Sequence, residues 1–430
     1  MALSKGPLAP EQRNQCYLRM VMAGMVLSLA GVSSSLAEPI PQKIKDAVVK
    51  GSDYLLKSAK ADGHFPGHHS DKIGNTALPV YALIKCSEPL DHPAIKNALP
   101  HLTRYAMTVN PAKDEFFTYN ASSVLLTLDA VRDAVVKKRM VVNFRSRNES
   151  TGDNKARLIK RRIIKINIPK FVAVIRKLAV TLARTQNYDG GFGYKPNSRS
   201  DLSNTQYAAL GMWAARRSGF KLNQQALTKM ADWVMSTQKQ PAQKDPNTTW
   251  QPTSAAFLYT GDDRPASTIM TGAGIGTLAV LHFELTKRLF IRGKANDGGE
   301  YESPGEQPKF RPADQKPKPV VVTKKFIKHP LKIKRAIDCG FKWWEESGFT
   351  IDNAYHFYTL ERACVLTQTK EIGGTDWYHH VSERVVKTQT ADGSWTNYNN
   401  ADKNLATSWT LLFLVKATSQ MLDLKPSPAK

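Results

Sequence analysis

Apolar residues along this chain fall into two kinds of segment that alternate. In the first kind they recur every three or four positions with polar residues between: Ile44, Ala47, Val48, Gly51, Leu55, then Ile95, Ala98, Leu99, Leu102, Ala106. The stripe returns at Phe171, Val174, Ile175, Leu178, Ala179, Leu182, at Leu227, Met230, Ala231, Val234, at Ile337, Gly340, Phe341, Trp344, and at Trp377, Val381, Val385, Thr388. Such spacing predicts a helix with one buried face. In the second kind, small and apolar residues continue all the way round: Thr76 to Lys85, Ala121 to Val136, Thr205 to Ala214, Ala266 to Leu285, Ala354 to Leu366 and Leu405 to Ala417. A helix without a polar face is enclosed on most sides. Six outer amphipathic helices alternating with six inner enclosed ones predict an all-α fold, an (α/α)6 toroid. The last inner segment is as apolar as the others, which favours a closed ring over an open stack with polar end repeats.

A turn signature recurs at the helix ends. Gln389, Gly393 and Trp395 have the form Gln-x3-Gly-x-Trp, and Gln186, Gly190 and Phe192 repeat it. Ala61-Asp62-Gly63-His64-Phe65 keeps the turn and the aromatic, Gln238 to Trp250 stretches the spacing, and Glu346-Ser347-Gly348-Phe349 keeps a glycine-aromatic turn. The pattern predicts a Gln closing an amphipathic helix, a glycine at positive φ, and an aromatic ring folding back on the helix end. Asp71, Asp201 and Asp402 each stand just before an inner segment, where a carboxylate caps the first turn.

Composition changes the picture in three places. The chain has 430 residues, 41% hydrophobic, with net charge +24. Fourteen Lys and Arg between Lys137 and Lys177 face only Glu149 and Asp153, and fourteen between Lys287 and Arg335 face five carboxylates. These stretches read as two basic loop insertions, at about 137–167 and 287–331, the second too rich in proline for helix or central strand. They predict mobile solvated loops first, an anionic envelope surface as partner second, and no nucleic acid. The start of the chain carries Lys5, Arg13 and Arg19, an apolar run from Val21 to Val32, and Ser35-Leu36-Ala37. This predicts a signal peptide at 1–37 and an exported (periplasmic or extracellular) mature chain, 38–430, forming a single toroid domain; the apolar run is short of the roughly 20 residues a membrane span needs. Cys86, Cys339 and Cys364 have no close spacing, so neither a disulfide framework nor a metal site is expected, and no cofactor is implied.

These repeats resemble the terpenoid cyclase/protein prenyltransferase superfamily, whose squalene-type cyclases carry the motif seen in full at Gln389, Gly393 and Trp395. The stretch from Asp352 to Trp395 is similar to exported squalene-cyclase-repeat proteins of planctomycete-type bacteria, which have no assigned reaction. The resemblance implies an apolar, isoprenoid-like small molecule as ligand. In a cyclase it implies an acid near the start of an inner helix, for which Asp262 and Asp263 are the candidates; a helix cap followed by Pro265 is the competing reading. The family's zinc-dependent branch implies Asp, Cys and His ligands, and Cys364 with His356 lacks the Asp at that spacing. Tyr355, His356, Tyr358 and Glu361 on one inner segment are the candidate cavity residues, with a polar core layer as the competing reading. Three functions stand against one another: a cyclase or transferase, a non-catalytic ligand- or protein-binding toroid at the cell envelope, and a polysaccharide-acting enzyme, which needs paired carboxylates.

Overall fold

A computed structural model of the chain describes residues 41–67, 72–136, 166–239, 253–261, 265–290, 292, 328–350, 353–396 and 402–422. The expected signal peptide, the bulk of both basic insertions, and Asp71, Trp250, Asp262 and Asp263 lie outside the described residues. Twelve helices order the rest: α1 (Gln42–Ser58), α2 (Ile73–Lys85), α3 (Leu99–Thr108), α4 (Phe117–Val136), α5 (Ile168–Ala183), α6 (Leu202–Arg217), α7 (Gln224–Ser236), α8 (Thr268–Thr286), α9 (Lys328–Ser347), α10 (Ala354–Leu366), α11 (Trp377–Lys387) and α12 (Lys403–Leu414). A single helical turn, Pro93–Lys96, precedes α3, and one two-stranded antiparallel ribbon pairs Glu371–Ile372 with Thr375–Asp376. The described chain is therefore all-α in class.

The odd-numbered helices bury one stripe each. In α5 it is Phe171, Ile175, Leu178, Ala179 and Leu182; each such Leu or Ile contributes on the order of 2 kcal/mol by leaving water. The even-numbered helices are enclosed: α6 is buried continuously from Leu202 to Ala215, and α8 from Met270 to Glu284. By length and composition α8 would suffice to cross a membrane, but it is buried among its neighbours, as a core helix is. The stripe from Ile95 to Ala106 does not form one helix. Pro100 lacks an amide hydrogen and sits in the first turn of α3, so the chain breaks after Lys96 and restarts.

The even helices pack in sequence, α2 on α4, α4 on α6, α6 on α8, α8 on α10, α10 on α12, and α12 returns to α2. Odd helices lie against their sequence neighbours, α3 on α2 and α4, α5 on α4 and α6, α7 on α6 and α8.

The recurring turns explain how successive pairs are joined. Gln186 Nε2 donates to Gly190 O at 2.8 Å within its own turn and to Ala226 O of α7 at 3.0 Å. Gln389 Nε2 does the same, to Gly393 O at 2.8 Å and to Ala47 O of α1 at 2.9 Å, so the last turn is tied to the first helix. Gln238, in the stretched copy, reaches Ala255 O and Ala336 O of α9. The glycines are required on two counts. Gly190 and Gly393 have φ of +98° and +88°, and a Cβ on either would strike a backbone carbonyl of the next outer helix, Lys229 O or Lys50 O. Trp395 is buried and its Nε1 donates to Val385 O at 2.8 Å. Its backbone N–H, like those of Phe65, Phe192 and Phe257, donates to a threonine hydroxyl near the start of the following even helix, here Thr407. Asp201 and Asp402 cap α6 and α12 through Asn204 N and Leu405 N.

Candidate functional site

Some side chains join even helices that are not successive in the circuit of contacts α2–α4–α6–α8–α10–α12–α2. α6 and α12 stand three steps apart in either direction, yet Trp409 Nε1 of α12 donates to the Tyr207 hydroxyl of α6 at 2.9 Å. Tyr355 of α10 reaches α6 twice, with its hydroxyl 2.7 Å from Ser203 Oγ and donating to Gln206 Oε1 at 3.0 Å. Tyr207 stacks on Tyr355 with ring centroids 6.4 Å apart, and Trp409 lies 5.2 Å from Tyr355. From α4, Tyr119 packs edge-on against Tyr207 at 4.6 Å and places its hydroxyl 2.5 Å from Ser203 Oγ. Four helices thus meet through aromatic rings in the offset and edge geometries that favour such pairs.

Local structure sets these side chains. Asn353 accepts the amide hydrogens of Tyr355 and His356, which fixes the first turn of α10 and with it the direction of Tyr355. Asp201 does the same for α6: its Oδ1 accepts Asn204 N at 2.8 Å and its Oδ2 accepts Asn204 Nδ2 at 2.7 Å. Tyr207 and Tyr358 are buried, whereas Tyr119, Tyr355 and Trp409 are half-buried on helices otherwise enclosed around them. The rings form an aromatic floor, an apolar surface on which a flat or apolar body can rest, edged by hydroxyl groups.

Burial dominates the electrostatics. It pushes the Tyr119 and Tyr355 hydroxyls well above the ordinary phenol range and Tyr207 to about 12, so all three stay protonated and act as neutral hydrogen-bonding groups. Burial also raises Asp201, against the opposing pull of its bonds from Asn204 and Tyr259.

The four predicted cavity residues do not converge. Tyr355 and Tyr358 face the floor, their rings 6.4 Å apart. His356 turns away: its Nε2 lies 2.5 Å from Phe349 O, its ring packs edge-on to Trp344, and burial pushes it down to about 4, leaving a neutral imidazole that donates to the carbonyl. Glu361 also turns away, accepting Thr418 N at 2.9 Å and Thr418 Oγ1 at 2.6 Å; burial raises it to about 7. The reason is the helix itself, since adjacent positions point about 100° apart while positions three or four apart share a face. By that rule Arg362, one turn past Tyr358, joins the floor, with its guanidinium carbon 2.9 Å from the Tyr358 ring centroid.

Tyr119, Ser203, Gln206, Tyr207 and Trp409 were not among the sequence candidates. The available signal was polar and aromatic residues three or four apart within otherwise enclosed segments, as at Ser203, Gln206 and Tyr207. Among the described residues no group of three or more His, Cys, Asp and Glu is placed to hold a metal ion. Comparison with protein-family models and with curated proteins gives no match to this chain.

Proposed function

We propose that the chain is an (α/α)6 toroid of the terpenoid cyclase/prenyltransferase type, exported after loss of residues 1–37, that binds an apolar small molecule at the aromatic floor. The observation that supports it is the meeting of Tyr119, Tyr207, Tyr355 and Trp409 from four even helices, with Tyr207 buried and the other three rings half-buried. Apolar pockets with a few convergent polar groups are the usual form of a small-molecule site. Binding is favoured over cyclisation because a cyclase needs a strong acid facing its substrate. Asp201, close enough to raise Tyr119 and Tyr355, has both oxygens engaged by Asn204 as a helix cap. In this reading the basic insertions hold the protein at an anionic envelope surface, an association that salt would screen.

Calorimetric titration with farnesol tests the reading. Saturable binding by the wild type is expected, and Tyr355→Ala together with Trp409→Ala should abolish it while cooperative melting persists. Absence of saturable binding by the folded wild type would refute it. Steady turnover of farnesol or a longer polyprenol, abolished by Asp262→Asn/Asp263→Asn, would instead favour the cyclase.

A further inference from the structure

Two buried arginines in this fold are treated differently. Arg217 is neutralised, donating to Asp129 Oδ2 at 2.9 Å and Asp133 Oδ1 at 2.8 Å. Arg362 is 3% exposed and has no carboxylate and no hydrogen-bond partner among the described residues; its Nη1 is buried and unpaired. What surrounds it is aromatic: the Tyr358 ring against the guanidinium face, with Tyr81, Tyr207 and Tyr355 near enough to act on it electrostatically. A face-on ring compensates a cation only in part. A guanidinium carries five donors, and burying them unmatched is expensive. Burial lowers Arg362 only to about 10, so it remains charged at neutral pH.

Two further unmatched donors stand at the same floor. Gln206 accepts the Tyr355 hydroxyl at Oε1 and leaves Nε2 buried without a partner, and the Tyr358 hydroxyl is likewise buried and unpaired. Gln206 is fully buried and Tyr358 is 1% exposed, so bulk water does not serve them. A cation and two neutral donors, without an acceptor to match, are complementary to an anion.

Resting on the binding reading above, we propose that Arg362, with Gln206 Nε2 and the Tyr358 hydroxyl, receives the acidic head group, carboxylate or phosphate, of an amphiphile whose apolar part lies on the aromatic floor. The ligand is therefore an acid.

The test compares dodecanol, dodecanoate and dodecyl phosphate by calorimetry on the full chain. At least one acid should bind about tenfold or more tighter than the alcohol, the gain expected of a charge-assisted bond in a buried site, and the preferred head group names the source. Arg362→Met should erase that gap by weakening the acids far more than dodecanol, and melt at the same or a higher temperature without ligand, because an uncompensated charge has been removed. Gln206→Met, which deletes a donor but no charge, should narrow the gap several-fold. Equal binding of all three probes by the wild type would overturn the proposal and leave the apolar site standing. Failure of all three and of farnesol would overturn both. An Arg362→Met protein that folds and keeps the preference, or one that loses dodecanol as well, would make Arg362 a packing residue.

Discussion

The seam between the end of the chain and its beginning offers a test in which one substitution changes sign. The Trp395 ring occupies the space above Gly51 of α1: a Cβ at Gly51 would lie 2.6 Å from Trp395 Cζ3 and 3.0 Å from Leu411 Cδ2. Gly51→Ala gains about 1 kcal/mol of helix propensity. Against that, the ring must shift, and overpacking of this kind costs about 1–3 kcal/mol, so the single change should be neutral to destabilising. Trp395→Ala removes a buried ring and its bond to Val385 O, for about 3–5 kcal/mol. In that background only the Leu411 Cδ2 contact remains, which that side chain can relieve by shifting into the space the ring has left, and Gly51→Ala should stabilise by up to about 1 kcal/mol, since the new methyl fills part of the cavity. Denaturant unfolding of the four proteins gives the coupling, expected at about 1–3 kcal/mol. A coupling below about 0.5 kcal/mol, or a Trp395→Ala effect near zero, would show that the ring does not pack on α1 and would undo the account of the seam.

Gln389→Ala removes two bonds and leaves Ala47 O and Gly393 O without their donor; a loss of about 2–3 kcal/mol, with faster amide exchange in α1, is expected, and unchanged exchange there would contradict the tie. Gly190→Ala combines a φ of +98° with a Cβ on Lys229 O, whereas Gly348→Ala has φ +85° and open space around it. The second should cost only the left-handed penalty of about 1–2 kcal/mol and the first clearly more; equal losses in thermal melts would show that the close approach is unimportant. Glu361, at about 7 in the folded protein against 4.5 ordinarily, binds protons more tightly folded than unfolded. Its contribution is therefore full below pH 4.5 and lost as pH rises through 7, so Glu361→Gln should flatten that fall and stabilise the protein at pH 8 more than at pH 5. His356, lowered to about 4, acts in the opposite sense, its contribution being lost as pH falls from 6.5 towards 4. A Glu361→Gln profile parallel to the wild type from pH 5 to 8 would refute the assignment.

Helix class and alternation were legible because periodicity depends only on which faces meet solvent: the stripe of α1 and the unbroken enclosure of α6 carry that information locally. The turn at Gln389, Gly393 and Trp395 was legible as a turn, with glycine at positive φ. Its second role was not, because Gln389 and Ala47 are 342 positions apart and nothing near either names the other. The site was legible in proportion to helical geometry. Tyr355 and Tyr358, three apart, face together, whereas His356 and Glu361 were grouped with them by proximity in sequence and point elsewhere. Tyr207 and Trp409 lie within segments that read as uniformly enclosed, and that they meet depends on α6 and α12 coming to opposite positions in the circuit.

That circuit carries a kinetic consequence. Within one helix pair the contacts span a few tens of residues, but the seam joins Lys43 to Glu383, Pro66 O to Asn404, Lys85 O to Gln420 and Tyr81 to Met421. Closing a chain segment of that length costs entropy that no single pair can offset. The pairs should therefore form early and independently, with the joining of α12 to α2 as the late, rate-limiting event. Until it occurs, the apolar flanks of the first and last even helices are both uncovered, which makes the open arc the species most exposed to self-association.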